Sequence, residues 1–118
     1  MKNIIEEQFV SYEIAKKLKE KGFNEPCFGL FNQIKELCSP QINYAEWKSF
    51  VGQSGVIPAP LHQQVVGWFF DKYCFWIEVY FDNSLKEFYT VLNGEEYKFK
   101  TQQEAYNAAF DYILKELI

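Results

Sequence analysis

The sequence predicts an α+β fold: a three-stranded antiparallel β-meander packed against helices. Large apolar residues alternate with outward-facing ones over residues 75–81, and two hairpin turns follow. Stripes of apolar residues at helical spacing precede and follow this region. A chain of 118 residues, 48% of them hydrophobic, has the size and composition of one folded domain, which we expect to span 1–118.

The first predicted helix spans residues 11–21. Ser11 can cap its amino terminus, and Ile14, Ala15 and Leu18 form its apolar side. Gly22 is placed to end the helix in the left-handed conformation, with Phe23 folding back on Leu18.

The middle of the chain has weaker patterns. The run from Cys27 to Phe31 is short, apolar and preceded by a proline, which is typical of an edge strand or an extended segment. From about 38 to 59 the periodicity is lost among prolines and glycines, so we expect an irregular segment packed on the domain. A short helix from Tyr44 to Phe50 fits within it.

Two further helices are predicted around the meander. Pro60 opens a helix over 60–72, because proline is well tolerated at the first helical position. Thr101 and Glu104 form a capping box that opens a helix over 102–117. The apolar stripes are Leu61, Val65, Trp68 and Phe69 in the first helix, and Tyr106, Ala109, Phe110, Ile113 and Leu117 in the second.

The predicted strands of the meander are 75–81, 86–92 and 95–100. Asn93-Gly94 favours a type I′ turn, which sets Leu92 opposite Glu95. A four-residue loop in the first hairpin sets Phe81 opposite Lys86.

This register gives the meander two unlike faces. The inner face, which we expect to seat the helices, carries Phe75, Ile77, Val79, Phe88, Leu92, Tyr97 and Phe99. The outer face carries both aromatic and charged side chains, and the charged ones include Glu87, Glu96 and Lys100. We call its central residues the outer patch: Trp76, Glu78, Tyr80, Tyr89, Val91 and Lys98. Exposed apolar patches on small proteins often mark a partner or subunit contact. The alternative is that the amino-terminal helix or the middle segment covers the patch.

Charge and composition exclude several function classes. All 12 basic residues are lysines, the net charge is −4 and the pI is about 5.0, which disfavours nucleic-acid binding. Cys27, Cys38 and Cys74 match no zinc or redox spacing, and we expect free thiols, no metal and no cofactor. No secretory signal or membrane span is evident, so we expect a cytoplasmic protein that does not bind membranes.

An enzyme or small-ligand binder, with a pocket between the sheet and the middle segment, is the main alternative. His62, the only histidine, could act as a general base for a cysteine. Glu78 would have a raised pKa if its face were covered, as carboxylate acid catalysts do.

The run WFFDKYCFWIEV, residues 68–79, resembles a family of small uncharacterised proteins encoded by phages and prophages of gut bacteria. Trp68, Phe69, Asp71, Lys72 and Ile77 fit its pattern, as does Val79, while Phe70, Tyr73 and Trp76 stand where the family often has basic residues or histidines. The resemblance implies a viral or mobile-element origin and no assigned activity. We therefore expect a non-catalytic protein that takes part in protein–protein interactions or has an accessory role. Its partner is a host or phage protein or, in a homodimer, a second copy of the chain. Inhibition of a host protein is a further alternative.

Overall fold

The computed structural model describes residues 8–38 and 54–118, and it confirms the α+β fold. The chain divides into two compact units, Met1–Leu61 and His62–Ile118. Each unit contains a three-stranded antiparallel sheet. The single domain over 1–118 stays a prediction.

The first unit opens with helix α1, Tyr12–Glu20, and both predicted helix ends are confirmed. The Ser11 hydroxyl accepts a hydrogen bond from the Ile14 amide at 3.3 Å. Gly22 has a φ of 94°, and the Phe23 amide donates to the Leu18 carbonyl at 2.9 Å. This pattern is a Schellman ending, which satisfies carbonyls that the helix leaves free.

The first sheet consists of β1 (Gly29–Phe31), β2 (Leu37–Cys38) and β3 (Ile57–Ala59), in the order β2-β1-β3. The strand that we expected at an edge is therefore the central one. Gly29 allows the close approach, because a Cβ there would lie 2.9 Å from a ring carbon of Phe9.

The third strand corrects the predicted irregular segment. Ile57–Ala59 pairs with β1 along its whole length, and the buried Pro58 is tolerated because β3 lies at the edge of the sheet. A three-residue strand containing a proline has too little alternation to be recognised from sequence. The helix predicted over Tyr44–Phe50 lies outside the described residues.

Helix α2, His62–Tyr73, opens the second unit. It begins two residues later than the predicted 60–72, because the preceding residues are held in extended structure. The Val10 amide donates to the Pro60 carbonyl at 3.0 Å, and Phe9 forms an isolated bridge with Leu61. Directly after the helix, Cys74 has a positive φ of 62°.

The predicted meander is confirmed as β4 (Tyr80–Asp82), β5 (Glu87–Leu92) and β6 (Glu95–Phe99), in the order β4-β5-β6. Asn93 and Gly94 have φ values of 52° and 80°, as a type I′ turn requires. Leu92 pairs with Glu95, as predicted.

The first hairpin differs from the prediction in length and register. Strand β4 is shorter than the predicted 75–81, and Phe81 pairs with Phe88 rather than with Lys86. The reason lies in the turn: the Asp82 carboxylate accepts the Ser84 amide at 2.9 Å, and the Lys86 amide donates to the Asp82 carbonyl at 2.8 Å. Lys86 then takes a φ of 56°. A shift of two residues keeps every side chain on its predicted face.

The last predicted helix, 102–117, is in fact two elements. Helix α3, Gln102–Tyr112, contacts β5 and β6, and a π-helix follows over Ile113–Leu117. The wider π turn changes the angular position of the side chains, so Leu114 is buried while Leu117, expected on the apolar stripe, is exposed.

The core of the second unit lies between α2, α3 and the inner face of the meander. Phe69 and Phe110 are fully buried, with ring centroids 5.8 Å apart. On the inner face Ile77 and Thr90 are buried, but Tyr97 is exposed because it lies on an edge strand. Among the residues described, no helix is long and apolar enough to cross a membrane.

Candidate protein-contact surface

Residues 74–79 present the first half of the outer patch. They lie outside the β-ladder, yet their exposure alternates as in a strand: Trp76 is 62% exposed and Ile77 only 7%. The buried Thr90 hydroxyl donates to the Glu78 carbonyl at 2.9 Å. This bond ties the segment to β5 and directs Trp76 and Glu78 outward.

The Glu78 carboxylate lies between two aromatic side chains. The Trp76 indole Nε1 donates to Glu78 Oε1 at 2.7 Å, and the Tyr80 hydroxyl donates to Glu78 Oε2. These hydrogen bonds, that from Tyr80 first and that from Trp76 second, hold the pKa of Glu78 below its ordinary value. The carboxylate is therefore ionised at neutral pH. A general acid needs the opposite shift in its pKa.

Aromatic contacts extend the patch on both sides of Glu78. The rings of Tyr80 and Tyr89 stack with centroids 5.1 Å apart. Trp76 meets the ring of Phe70 edge-on at 5.4 Å, and Phe70 itself is 48% exposed. Phe70 was not predicted to belong to this surface. The sequence offered one signal for it: Phe70 is a large apolar residue of α2 that lies outside the apolar stripe predicted for that helix.

The remaining residues of the outer patch lie on β5 and β6. Val91 is 53% exposed, and Lys98 pairs across the sheet with Tyr89. The Lys98 ammonium lies 4.0 Å from the Glu96 carboxylate, and both side chains are about half exposed. The structure thus brings all six predicted residues onto one face, and it leaves the indole of Trp76 open to solvent.

His62 is part of the core. It is 5% exposed, and its ring stacks on Tyr106 with centroids 5.1 Å apart. Burial lowers its pKa to about 4, and no described group bonds to its Nε2 atom. A neutral ring packed among aromatic side chains is poorly placed to serve as a base for substrate.

The cysteines and acidic residues form no chemical centre in the described part of the chain. Cys27, Cys38 and Cys74 form no disulfide bond. Within residues 8–38 and 54–118, no group of three or more His, Cys, Asp or Glu side chains could hold a metal ion.

A cavity of about 220 Å³ lies in the second unit. Residues 74–77 and 90–93 line it, together with Tyr112, Ile113 and Leu117 at the start and end of the π-helix. Neither Glu78 nor His62 is among its lining residues. The cavity therefore does not bring the two candidate catalytic residues together.

Comparison of the chain with protein-family models, with curated proteins and with solved structures finds no match in any of the three.

Proposed function

We propose that this protein is non-catalytic and acts by binding another protein through the outer patch. The observation that carries this proposal is the exposed ring cluster around the ionised Glu78 carboxylate. Tryptophan and tyrosine are enriched among the few residues that dominate the binding energy of protein interfaces, because they bury much area while losing little conformational freedom. The phage or prophage origin and the cytoplasmic location belong to the same proposal.

The chemistry of the patch specifies its partner. An ionised carboxylate flanked by an indole and a phenol attracts a lysine or arginine side chain, through charge and through the ring faces. The adjacent Val91 and Tyr89 favour apolar neighbours in the partner segment. The net charge of −4 adds attraction for a basic partner. We therefore expect a protein segment in which a cation lies beside apolar side chains.

Selection from a random peptide library displayed on phage tests this expectation. The purified protein is the bait, and the Trp76→Ala/Tyr89→Ala variant is the counter-bait that removes peptides bound elsewhere. We expect the remaining peptides to combine lysine or arginine with apolar residues. Glu78→Gln should weaken their binding about tenfold, because it removes a charge-assisted contact.

Two results would overturn the proposal. One is that no peptide remains after the counter-bait step, since the two rings would then take no part in peptide binding. The other is a wild-type dimer that the Trp76→Ala/Tyr89→Ala variant loses in size-exclusion chromatography with light scattering. In that case the patch would bind a second copy of this chain.

A further inference from the structure

We propose that two copies of this chain pair through the free edges of their β6 strands, in one charge-selected antiparallel register. Strand β6 pairs only with β5 among the strands described, and residues 95–98 are exposed. A free strand edge carries unpaired amides and carbonyls and is a template for another strand. This interface is the edge of the sheet rather than its outer face, and only Lys98 belongs to both, so the inference goes beyond the proposed function.

The hydrogen-bonding alternation of the hairpin shows which backbone groups are free. Leu92 and Glu95 flank the two-residue turn and exchange backbone hydrogen bonds, so Thr90–Tyr97 and Phe88–Phe99 do so as well. The intervening residues of β6, Glu96 and Lys98, therefore direct their amides and carbonyls to the free edge. A second β6 strand must bond through these residues.

The side-chain charges on β6 select one register. With Tyr97 opposite Tyr97 of the second copy, Glu96 faces Lys98 and Lys98 faces Glu96, giving two opposite-charge pairs and about four backbone hydrogen bonds. Shifting the strands by two residues in either direction places Glu96 opposite itself or Lys98 opposite itself. In the second case Glu96 faces Lys100, but Lys100 lies beyond the end of β6 and is not held in a strand. Like charges directly opposite are destabilising, so the two-fold register with Tyr97 at its centre is preferred.

The pairing would join two meanders into one continuous sheet. Cross-strand neighbours share a face, so both outer patches would lie on the same side. A contact formed by five-residue strands is small, and we expect a weak, reversible dimer with a dissociation constant on the order of 100 µM.

Charge reversal tests the register. Dimerisation is measured by sedimentation velocity across micromolar to millimolar concentrations. Glu96→Lys and Lys98→Glu each place like charges opposite one another at both pairs, so each should weaken the dimer at least about tenfold. An equimolar mixture of the two variants restores both opposite-charge pairs and should form a heterodimer. The double variant Glu96→Lys/Lys98→Glu again places opposite charges at both pairs, so its dimer should have the wild-type dissociation constant.

Glu95→Lys is the matched control. It changes the net charge by the same amount as Glu96→Lys and lies on the same strand, but residue 95 faces Phe99 of the second copy. The dissociation constant of the dimer should therefore stay within about twofold of the wild-type value. Circular dichroism establishes that each variant is folded. A wild-type monomer at every concentration, or a variant mixture that fails to form the heterodimer, would overturn the inference.

One further measurement separates this inference from the proposed function. The Trp76→Ala/Tyr89→Ala variant should keep the dissociation constant of the wild-type dimer while losing peptide binding. If the ring variant loses the dimer, the copies do not meet through β6.

Discussion

Acidification should destabilise this protein through His62. The folded pKa of about 4 lies below the unfolded value of 6.5, because burial disfavours the charged ring. Between these two values the unfolded state binds more protons than the folded state. The His62 contribution to stability is therefore complete above pH 6.5, and it is lost progressively as the pH falls to about 4.

The size of this effect follows from the two pKa values. At pH 5 the unfolded ring is almost fully protonated and the folded ring is mostly neutral. The difference lowers the free energy of unfolding by about 2 kcal/mol relative to pH 7.

Urea denaturation at pH 7 and pH 5 measures the effect, with His62→Phe as the matched variant. Phenylalanine keeps an aromatic ring against Tyr106 but does not titrate, and it removes the unpartnered Nε2 atom. Protonation of carboxylates between pH 7 and pH 5 affects the stability of both proteins equally. The free energy of unfolding should therefore fall by about 2 kcal/mol more in the wild type than in the variant. Equal losses would refute the reasoning and show that the folded ring protonates as readily as the unfolded one.

Substitutions at three further positions test the elements of the second unit, each by chemical denaturation. Thr90→Val should lower the free energy of unfolding by about 1–2 kcal/mol, because the Glu78 carbonyl loses its buried donor; an unchanged stability would show that this bond contributes no net energy. Thr101→Ala should lower the free energy of unfolding by about 1 kcal/mol, because it removes the hydroxyl that accepts the Glu104 amide. Thr101→Ser keeps a hydroxyl and should retain most of that stability. Gly94→Ala should lower the free energy of unfolding by about 1 kcal/mol, because the φ of 80° at this position is strained for any residue with a side chain. A more stable variant would contradict the turn assignment.

The two faces of the meander could be predicted because side chains alternate along a strand regardless of how far its ladder extends. Residues 75–79 keep that alternation although they form no ladder. The register of the first hairpin could not be predicted. It depends on which residue begins the turn, and the Asp82 side chain decides this through its bonds to two amides.

The contribution of Phe70 to the surface and the π-helix could not be predicted for a different reason. Phe70 becomes part of the surface only because the turn at Cys74 brings Trp76 back against it. The π-helix depends on a change of hydrogen-bond spacing near the carboxyl end, where the Ile118 amide donates to the Ile113 carbonyl. The apolar periodicity of the sequence continues through that change without a break.

The most direct test of the account is the solvent accessibility of Trp76 in the unmodified protein. Hydroxyl-radical footprinting read by mass spectrometry compares it with Trp68, which has the same intrinsic reactivity and lies on a different tryptic peptide. With Trp76 62% exposed and Trp68 9% exposed, Trp76 should be oxidised several-fold faster. Equal rates would mean that the protein covers its own ring cluster and leaves no such surface for a partner.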